Sequence, residues 1–198
     1  MVYISKVYTR SGDEGKTMLA NGAFVGKETL RIRAYGDVDE LNTVLGMIRV
    51  ELAREPRRPA HEAFCAKLDG QLARIQQELF NLGAELATPE AAEGGAKLKI
   101  EQRHVDALEH EIDEHNAHLE PLRSFILPGG GPVASAAHVG RTVCRRAERE
   151  VVALARAESV REESRKYMNR LSDYLFVVAR AAAKQLGYDE ALWDPKTT

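Results

Sequence analysis

Five arginines stand at positions 141, 145, 146, 149 and 156 of one segment, HVGRTVCRRAEREVVALAR, running from His138 to Arg156. A guanidinium is planar, permanently charged and presents paired N–H donors, so it suits phosphate and carboxylate oxygens where lysine would serve solubility equally well. Val139, Val143, Ala147, Val151 and Leu154 recur at steps of four and three, which predicts a helix with one face on a core. At 100° per residue, Arg141, Arg145 and Glu148 gather on the opposite side within about a third of a turn. A charged stripe of this kind is ordinarily a solvated face. Here it is fed by Phe125-Ile126-Leu127-Pro128-Gly129-Gly130-Gly131-Pro132, an apolar run followed by a glycine turn that lets backbone approach a ligand, with a proline suited to a helix start. Together they suggest an anion site beside an apolar wall.

The rest of the chain must position these groups. Its 198 residues suit one domain with a core that needs neither disulfides nor a structural metal. The net charge is −2 with 29% charged residues, so the arginines are a local patch in a nearly neutral protein and nucleic-acid binding is disfavoured. Cys65 and Cys144 lie inside helical patterns at no metal-ligand spacing, as buried thiols in a reducing compartment do. The amino terminus has neither signal-peptide nor transit-peptide character, and no stretch approaches the roughly eighteen apolar residues of a membrane span. Cytoplasmic residence without a membrane partner is expected.

Four more segments read as helices. The first is expected to begin near Asp37, whose side chain would cap while Glu40 stands three residues on, and to bury Leu41, Leu45, Ile48 and Leu52. Phe64, Leu68, Leu72, Ile75, Leu79, Leu82 and Leu86 predict a long second helix from about Pro59 to Leu86. Beyond Thr88-Pro89 and Gly94-Gly95, Val105, Leu108, Ile112 and Leu119 predict a third from about Glu101 to His118. The arginine helix is fourth. The fifth, from about Val160 to Leu186, turns Met168, Leu171, Leu175, Val178 and Ala182 inward and stops at Gly187. Only residues 2–8 and 30–34 alternate as strands do. The expected class is all-α: a five-helix up-and-down bundle over 35–187, an irregular N-terminal arm over 1–34 and a tail over 188–198.

Within the arm, residues 9–17 read TRSGDEGKT, a loop of small, charged and glycine residues whose backbone N–H groups can wrap phosphates, although such clusters are more often plain surface turns. Gly15-Lys16-Thr17 imitates the end of a Walker A loop, but Arg10 stands where that motif needs glycine and Asn21-Gly22 interrupts the following helix, so a P-loop is rejected. The third helix carries His104, His110, His115 and His118 among glutamates. A di-iron bundle needs Glu-x-x-His on two helices, and only Glu101 to His104 fits. Glu111, His115 and His118 share a face able to take a stray metal, with a solvated His-rich face the simpler account.

Five blocks, taken in order and spacing, resemble the PduO-type ATP:cob(I)alamin adenosyltransferases over about residues 3–187: Tyr8-Thr9-Arg10-Ser11-Gly12-Asp13; Tyr35-Gly36-Asp37-Val38-Asp39-Glu40-Leu41-Asn42; Phe125-Ile126-Leu127-Pro128-Gly129-Gly130; Arg145-Arg146-Ala147-Glu148-Arg149; and Asn169-Arg170-Leu171-Ser172-Asp173-Tyr174-Leu175-Phe176. The resemblance implies a homotrimer in which ATP and corrinoid meet at each subunit boundary. It carries ATP contacts onto Thr9, Arg10, Ser11, Gly12, Thr17 and Met18, the last through its backbone, then onto Lys27, Arg145, Arg146, Glu148, Arg149 and Asn169. Asp39 and Arg141 match a salt bridge across the boundary, and Phe125 matches the aromatic beneath the corrin.

The implied reaction moves the 5′-deoxyadenosyl group of ATP to cobalt, with triphosphate leaving and adenosylcobalamin as product. Co(I) is itself a strong nucleophile, which agrees with a sequence holding no nucleophile-base constellation. Asn169 and the loop would position the ribose. Arg10, Lys27, Arg145 and a magnesium ion would neutralise the departing phosphates, with Glu148 orienting the arginines or holding magnesium through water. Phe125 would fill the lower-ligand space of base-off cobalamin and ease reduction of Co(II) by a partner reductase, the product passing to adenosylcobalamin-dependent enzymes. A core aromatic is its alternative reading. Trp193 stays open between closing the corrin pocket and pinning the chain end. The rival from another class is a trimeric corrinoid-binding or delivery protein of the same fold without turnover.

Overall fold

Heptad-like spacing decides the longest element. In a computed structural model that describes residues 7–8, 10–56, 58–89 and 96–197, the second helix, α2, runs Pro59–Leu86 and buries Leu68, Leu72, Ile75, Leu79, Leu82 and Leu86. The other helices are α1 Leu30–Arg54, α3 Gln102–Asn116, α4 Gly131–Ala157 and α5 Glu162–Leu186. A hairpin of β1 Lys16–Met18 and β2 Phe24–Gly26 precedes them, pairing Lys16 with Gly26, Thr17 with Val25 and Met18 with Phe24.

Successive helices run in opposite directions, as their end contacts record. At one end, the Arg31 guanidinium of α1 donates to the Leu86 carbonyl of α2 and to Glu158 just past α4, and the Ile100 amide ahead of α3 donates to Glu85 at 2.7 Å. At the other end, Tyr188 beyond α5 reaches Glu55 beyond α1, and Lys184 donates to the His118 carbonyl beyond α3 at 2.6 Å. α1 packs on α2 and α4, α4 on α5, and α5 on α3. One apolar core takes residues from every helix. Polar groups inside it are paired: Tyr167 Oη donates to Glu78 at 2.7 Å and Tyr174 Oη to Gln71 at 3.1 Å, which offsets the cost of burying them.

Three sequence expectations are corrected. First, α1 begins at Leu30, capped by extended Thr29, so residues 30–34 are helical, the bundle starts ahead of residue 35, and Asp37 and Glu40 stand inside the helix instead of capping it. Both acids face Arg146 of α4, a tertiary partner that local patterning does not reveal. Second, Val139 is 53% exposed: Gly140, Ala147 and Val151 centre the buried arc of α4, and Val139 stands about 100° from that centre. Third, the histidines of α3 do not form one solvated face. His115 is buried and its Nε2 lies 2.9 Å from Gln71 Oε1, while Glu111 pairs with Arg74 at 2.7 Å. His104 completes a capping box with Glu101, and no group able to hold a metal occurs among the described residues. Of the strand-like pattern over 2–8, residues 2–6 lie outside the described residues; Val7 and Tyr8 are not in a strand.

Candidate active site

The arm is a built loop. Arg10 adopts a left-handed backbone (φ 63°) with its guanidinium 5.9 Å from the Tyr8 ring, within cation–π range. Asp13 N donates to Arg10 O at 3.3 Å and Gly15 N to Gly12 O at 3.2 Å, two turns in succession. Lys27 clamps them from the far side of the hairpin: its amide donates to Gly15 O at 2.9 Å and its Nζ to Gly12 O at 2.8 Å. An ammonium has three N–H donors, so this clamp leaves Lys27 capacity for an anion. Leu19 is buried and the Ala20 amide donates to Ala87 O, which pins the hairpin to the end of α2. Ser11 is exposed, Thr17 half-buried, and the Met18 side chain 60% exposed. Thr9 lies outside the described residues.

The second group of residues sits midway along α4. Arg145 and Arg149 are exposed and, with Glu148, Val152, Ala153 and Arg156, line an open groove of about 440 Å³. Arg145, Arg149 and Arg156 form no ion pair among the described residues, whereas Arg146 is committed to Asp37 and Glu40. The helix wheel explains the split: Arg149 and Arg156 lie within about 40° of Arg145, and Arg146 lies about 100° away, toward α1. Asn169 Nδ2 of α5 donates to Glu148 Oε1 at 3.2 Å, so two expected contacts are joined directly. Cys144, one residue before Arg145, is wholly buried; burial pushes its thiol far above the ordinary value, and it donates weakly to Met168 O.

Arg141 and Asp39 do not meet within the chain. The Arg141 Nε is buried without a partner, and the exposed Asp39 carboxylate has none among the described residues. Phe125 stands elsewhere again, 78% exposed in the loop before α4. That loop is at the Tyr188 end of the bundle, and the arm is at the Leu86 end. The 25 residues of α1 separate these ends by about 37 Å at 1.5 Å per residue. Other hollows, of about 390 Å³ beside Phe64 and His115 and about 410 Å³ beside Cys65, contain none of the expected site residues.

Residues 7–182 match the family model described as cobalamin adenosyltransferase. The chain belongs to the cobalamin adenosyltransferase family. The reaction of this family is ATP-dependent adenosylation of a corrinoid. Among its relatives, the chain is 46% identical over 190 residues to a cobalamin adenosyltransferase of Cupriavidus metallidurans, covering 96% of this chain and 95% of that one. It is 39% identical to the corrinoid adenosyltransferase of Bacillus subtilis, covering 96% and 92%. A variant PduO-type ATP:corrinoid adenosyltransferase from Lactobacillus reuteri, solved with cobalamin and ATP, superposes with a TM-score of 0.84 at 38% identity over 95% of this chain and 99% of that one.

In this cobalamin adenosyltransferase, two of the expected contact residues also have partners within the chain. Arg146 ties α4 to α1, and Lys27 clamps the glycine-bearing loop of the arm. The acids that hold Arg146 were legible as a pair three residues apart, Asp37 and Glu40, but their partner is 106 residues away from Glu40. The backbone pairing of the tail with the Phe125 loop is not read from the sequence, which leaves Trp193 open between the corrin pocket and the chain end. One signal does foreshadow it: an aromatic, Tyr188, directly follows the stop glycine Gly187, where helix ends commonly make an apolar contact.

Proposed function

We propose that this chain transfers the 5′-deoxyadenosyl group of ATP to the cobalt of a reduced corrinoid at a site completed by a second copy of itself, in a cytoplasmic homotrimer. One observation carries the composite site: the phosphate loop and Phe125 occupy opposite ends of the bundle. Attack on C5′ requires reacting atoms about 3–3.5 Å apart, and no single ATP–corrinoid pair spans that separation. Copies related by an axis inclined to the bundle can bring the arm of one against the Phe125 end of another. Asp39 and Arg141 Nε, without partners among the described residues, supply complementary charges for the same boundary.

In this reading the triphosphate lies against Arg10, Lys27, Arg145 and Arg149, with the backbone amides around Ser11, Gly12, Thr17 and Met18 closing the loop. The Co(I) electron pair forms the Co–C5′ bond, and the C5′–O bond breaks with its electrons passing to triphosphate. The arginines neutralise that charge where it develops. Glu148 holds the Asn169 amide, fixing which way its carbonyl faces the ribose. The lone Glu148 carboxylate, already engaged by Asn169, suits outer-sphere contact with magnesium carried by the phosphates. When bound, magnesium supplies further charge neutralisation at the leaving group. Phe125 excludes water and the axial donor from the lower face of the corrin, which raises the Co(II)/Co(I) potential for an electron-donating reductase; adenosylcobalamin-dependent enzymes receive the product.

Two measurements test this. Chemically reduced cobalamin, ATP and magnesium mixed with the protein should yield a light-sensitive cobalt–carbon product; stoichiometric binding without it would make the chain a carrier. In an assay that starts from Co(II) cobalamin and an electron-donating reductase, mixing defective Arg10→Ala chains with defective Phe125→Ala chains, after dissociation and reassembly, should restore a fraction of activity, because some boundaries then pair an intact arm with an intact Phe125. No recovery in mixed oligomers would overturn the composite site.

A further inference from the structure

Beyond Gly187 the chain turns back along the loop that carries Phe125. Ile126 and Leu192 form an antiparallel bridge. The Leu127 amide donates to Ala191 O at 2.8 Å and the Trp193 amide to Phe125 O at 2.7 Å, and Ser124 Oγ donates to Trp193 O at 2.7 Å. The two backbone hydrogen bonds flank the Ile126–Leu192 bridge and fix a register, as in an antiparallel pair, and the Ser124 side chain adds a third tie. That register sets the Trp193 indole against Phe125, ring centroids 6.2 Å apart and planes inclined by 55°, inside the range in which aromatic rings attract.

The tail is itself anchored upstream. Tyr188 N donates to Ala183 O at 2.8 Å, and the Tyr188 ring occupies the space that a side chain at Gly131 would fill. Arg180, 6% exposed, reaches Glu190 at 3.3 Å and the Glu120 carbonyl at 2.9 Å, tying the tail and the segment that leads into the Phe125 loop to α5. Phe125 nevertheless stays 78% exposed and Trp193 43%. Core packing therefore does not hold the Phe125 ring; the paired backbone and the indole do. An exposed aromatic free among rotamers must be ordered when a ligand arrives, and one already held avoids that cost.

We propose that the C-terminal tail is a strap and that Trp193 is a positioning residue, holding the Phe125 ring ready for the lower face of the corrin. This rests on the reading of Phe125 given above. Trp193 acts through Phe125, so its removal lowers the proportion of Co(II) corrinoid that loses its axial donor and leaves the phosphate site at the other end of the bundle untouched.

The test uses the full-length protein with Co(II) cobalamin and ATP, reading the nitrogen splitting of the electron paramagnetic resonance spectrum, which vanishes when the axial base departs. Trp193→Ala should lower the donor-free to ligated ratio by about threefold to tenfold, the scale of one aromatic pair, with KM for ATP unchanged. Trp193→Phe, which keeps a ring on the strap, should recover most of it. In the Phe125→Ala background, Trp193→Ala should add nothing, as expected of residues acting as one unit. Trp193 is the chain's sole tryptophan, so its emission should also shift in Phe125→Ala. A wild-type ratio in Trp193→Ala while Phe125→Ala is defective overturns the strap and spares the role of Phe125. A wild-type ratio in Phe125→Ala overturns both.

Discussion

Neighbouring arginines on α4 do different work, and their substitutions should separate cleanly. Arg145 has no ion-pair partner among the described residues, so its loss should leave packing intact and remove the charge-assisted contact to phosphate proposed for it. Such contacts contribute about 1.5–3 kcal/mol; Arg145→Ala should therefore lower kcat/KM for ATP by about tenfold to a hundredfold with an unchanged melting temperature. Arg146 is 41% exposed and paired with Asp37 and Glu40, an arrangement contributing on the order of 1 kcal/mol or less to stability. Arg146→Ala should lower the melting temperature by a few degrees and change the ATP KM far less than Arg145→Ala does. Equal ATP defects in the two variants would return Arg146 to the phosphate site. From sequence the two arginines are adjacent and chemically identical; only the 100° step of a helix, with an acidic neighbour on one side, tells them apart.

At the scale of elements, the two glycine-bearing loops are held by opposite devices. The Lys27 ammonium lies 2.9 Å from where a Gly12 Cβ would stand, and that ammonium is the far end of a flexible chain. Gly12→Ala should thus be tolerated by the fold but displace Lys27 from the Gly12 carbonyl, raising KM for ATP without lowering the melting temperature. Gly131 faces the rigid Tyr188 ring and has φ 87°, a conformation that costs a non-glycine residue about 1–3 kcal/mol before any clash. Gly131→Ala should lower the melting temperature by several degrees, at about 2–4 °C per kcal/mol for a chain of this size. It should also increase protease cleavage in the tail, because Tyr188 loses its seat. A Gly131→Ala protein with native stability and an intact tail would show that Tyr188 does not anchor the strap.

The whole molecule couples pH to its stability through two buried imidazoles. Burial first, then the charge of Lys67, pushes His115 below its ordinary value, with Glu114 opposing and His118 assisting; burial and then Arg141 do the same to His138. Above about pH 6.5 both rings are neutral whether the chain is folded or not, and they favour neither state. As pH falls through that value the unfolded chain takes up protons that the folded chain resists, so stability is lost on the acid side. Thermal melts should shift downward between pH 7 and pH 5.5, and His115→Gln should flatten that dependence relative to its own value at pH 7. An unchanged slope would assign the acid sensitivity to other groups.

Much of the fold follows from spacing alone, because a helix face repeats within a few residues and the core needs only apolar groups at that period. The α2 heptads, the Gly187 stop and the arginine ridge of α4 are local facts of this kind, and the ordered blocks of site residues were enough to indicate corrinoid adenosylation. What tertiary structure decided is long-range. It set the start of α1, where strand-like alternation over 30–34 yields to packing beneath Leu86 and Glu158. It turned Arg146 toward α1, buried His115 in a helix that looked solvated, and paired the tail with the Phe125 loop. It also put the glycine-bearing loop of the arm and Phe125 at opposite ends of one bundle. Each of these depends on which residue lies across a helix–helix or loop–loop contact, and the periodicity of a single segment carries no record of its neighbour.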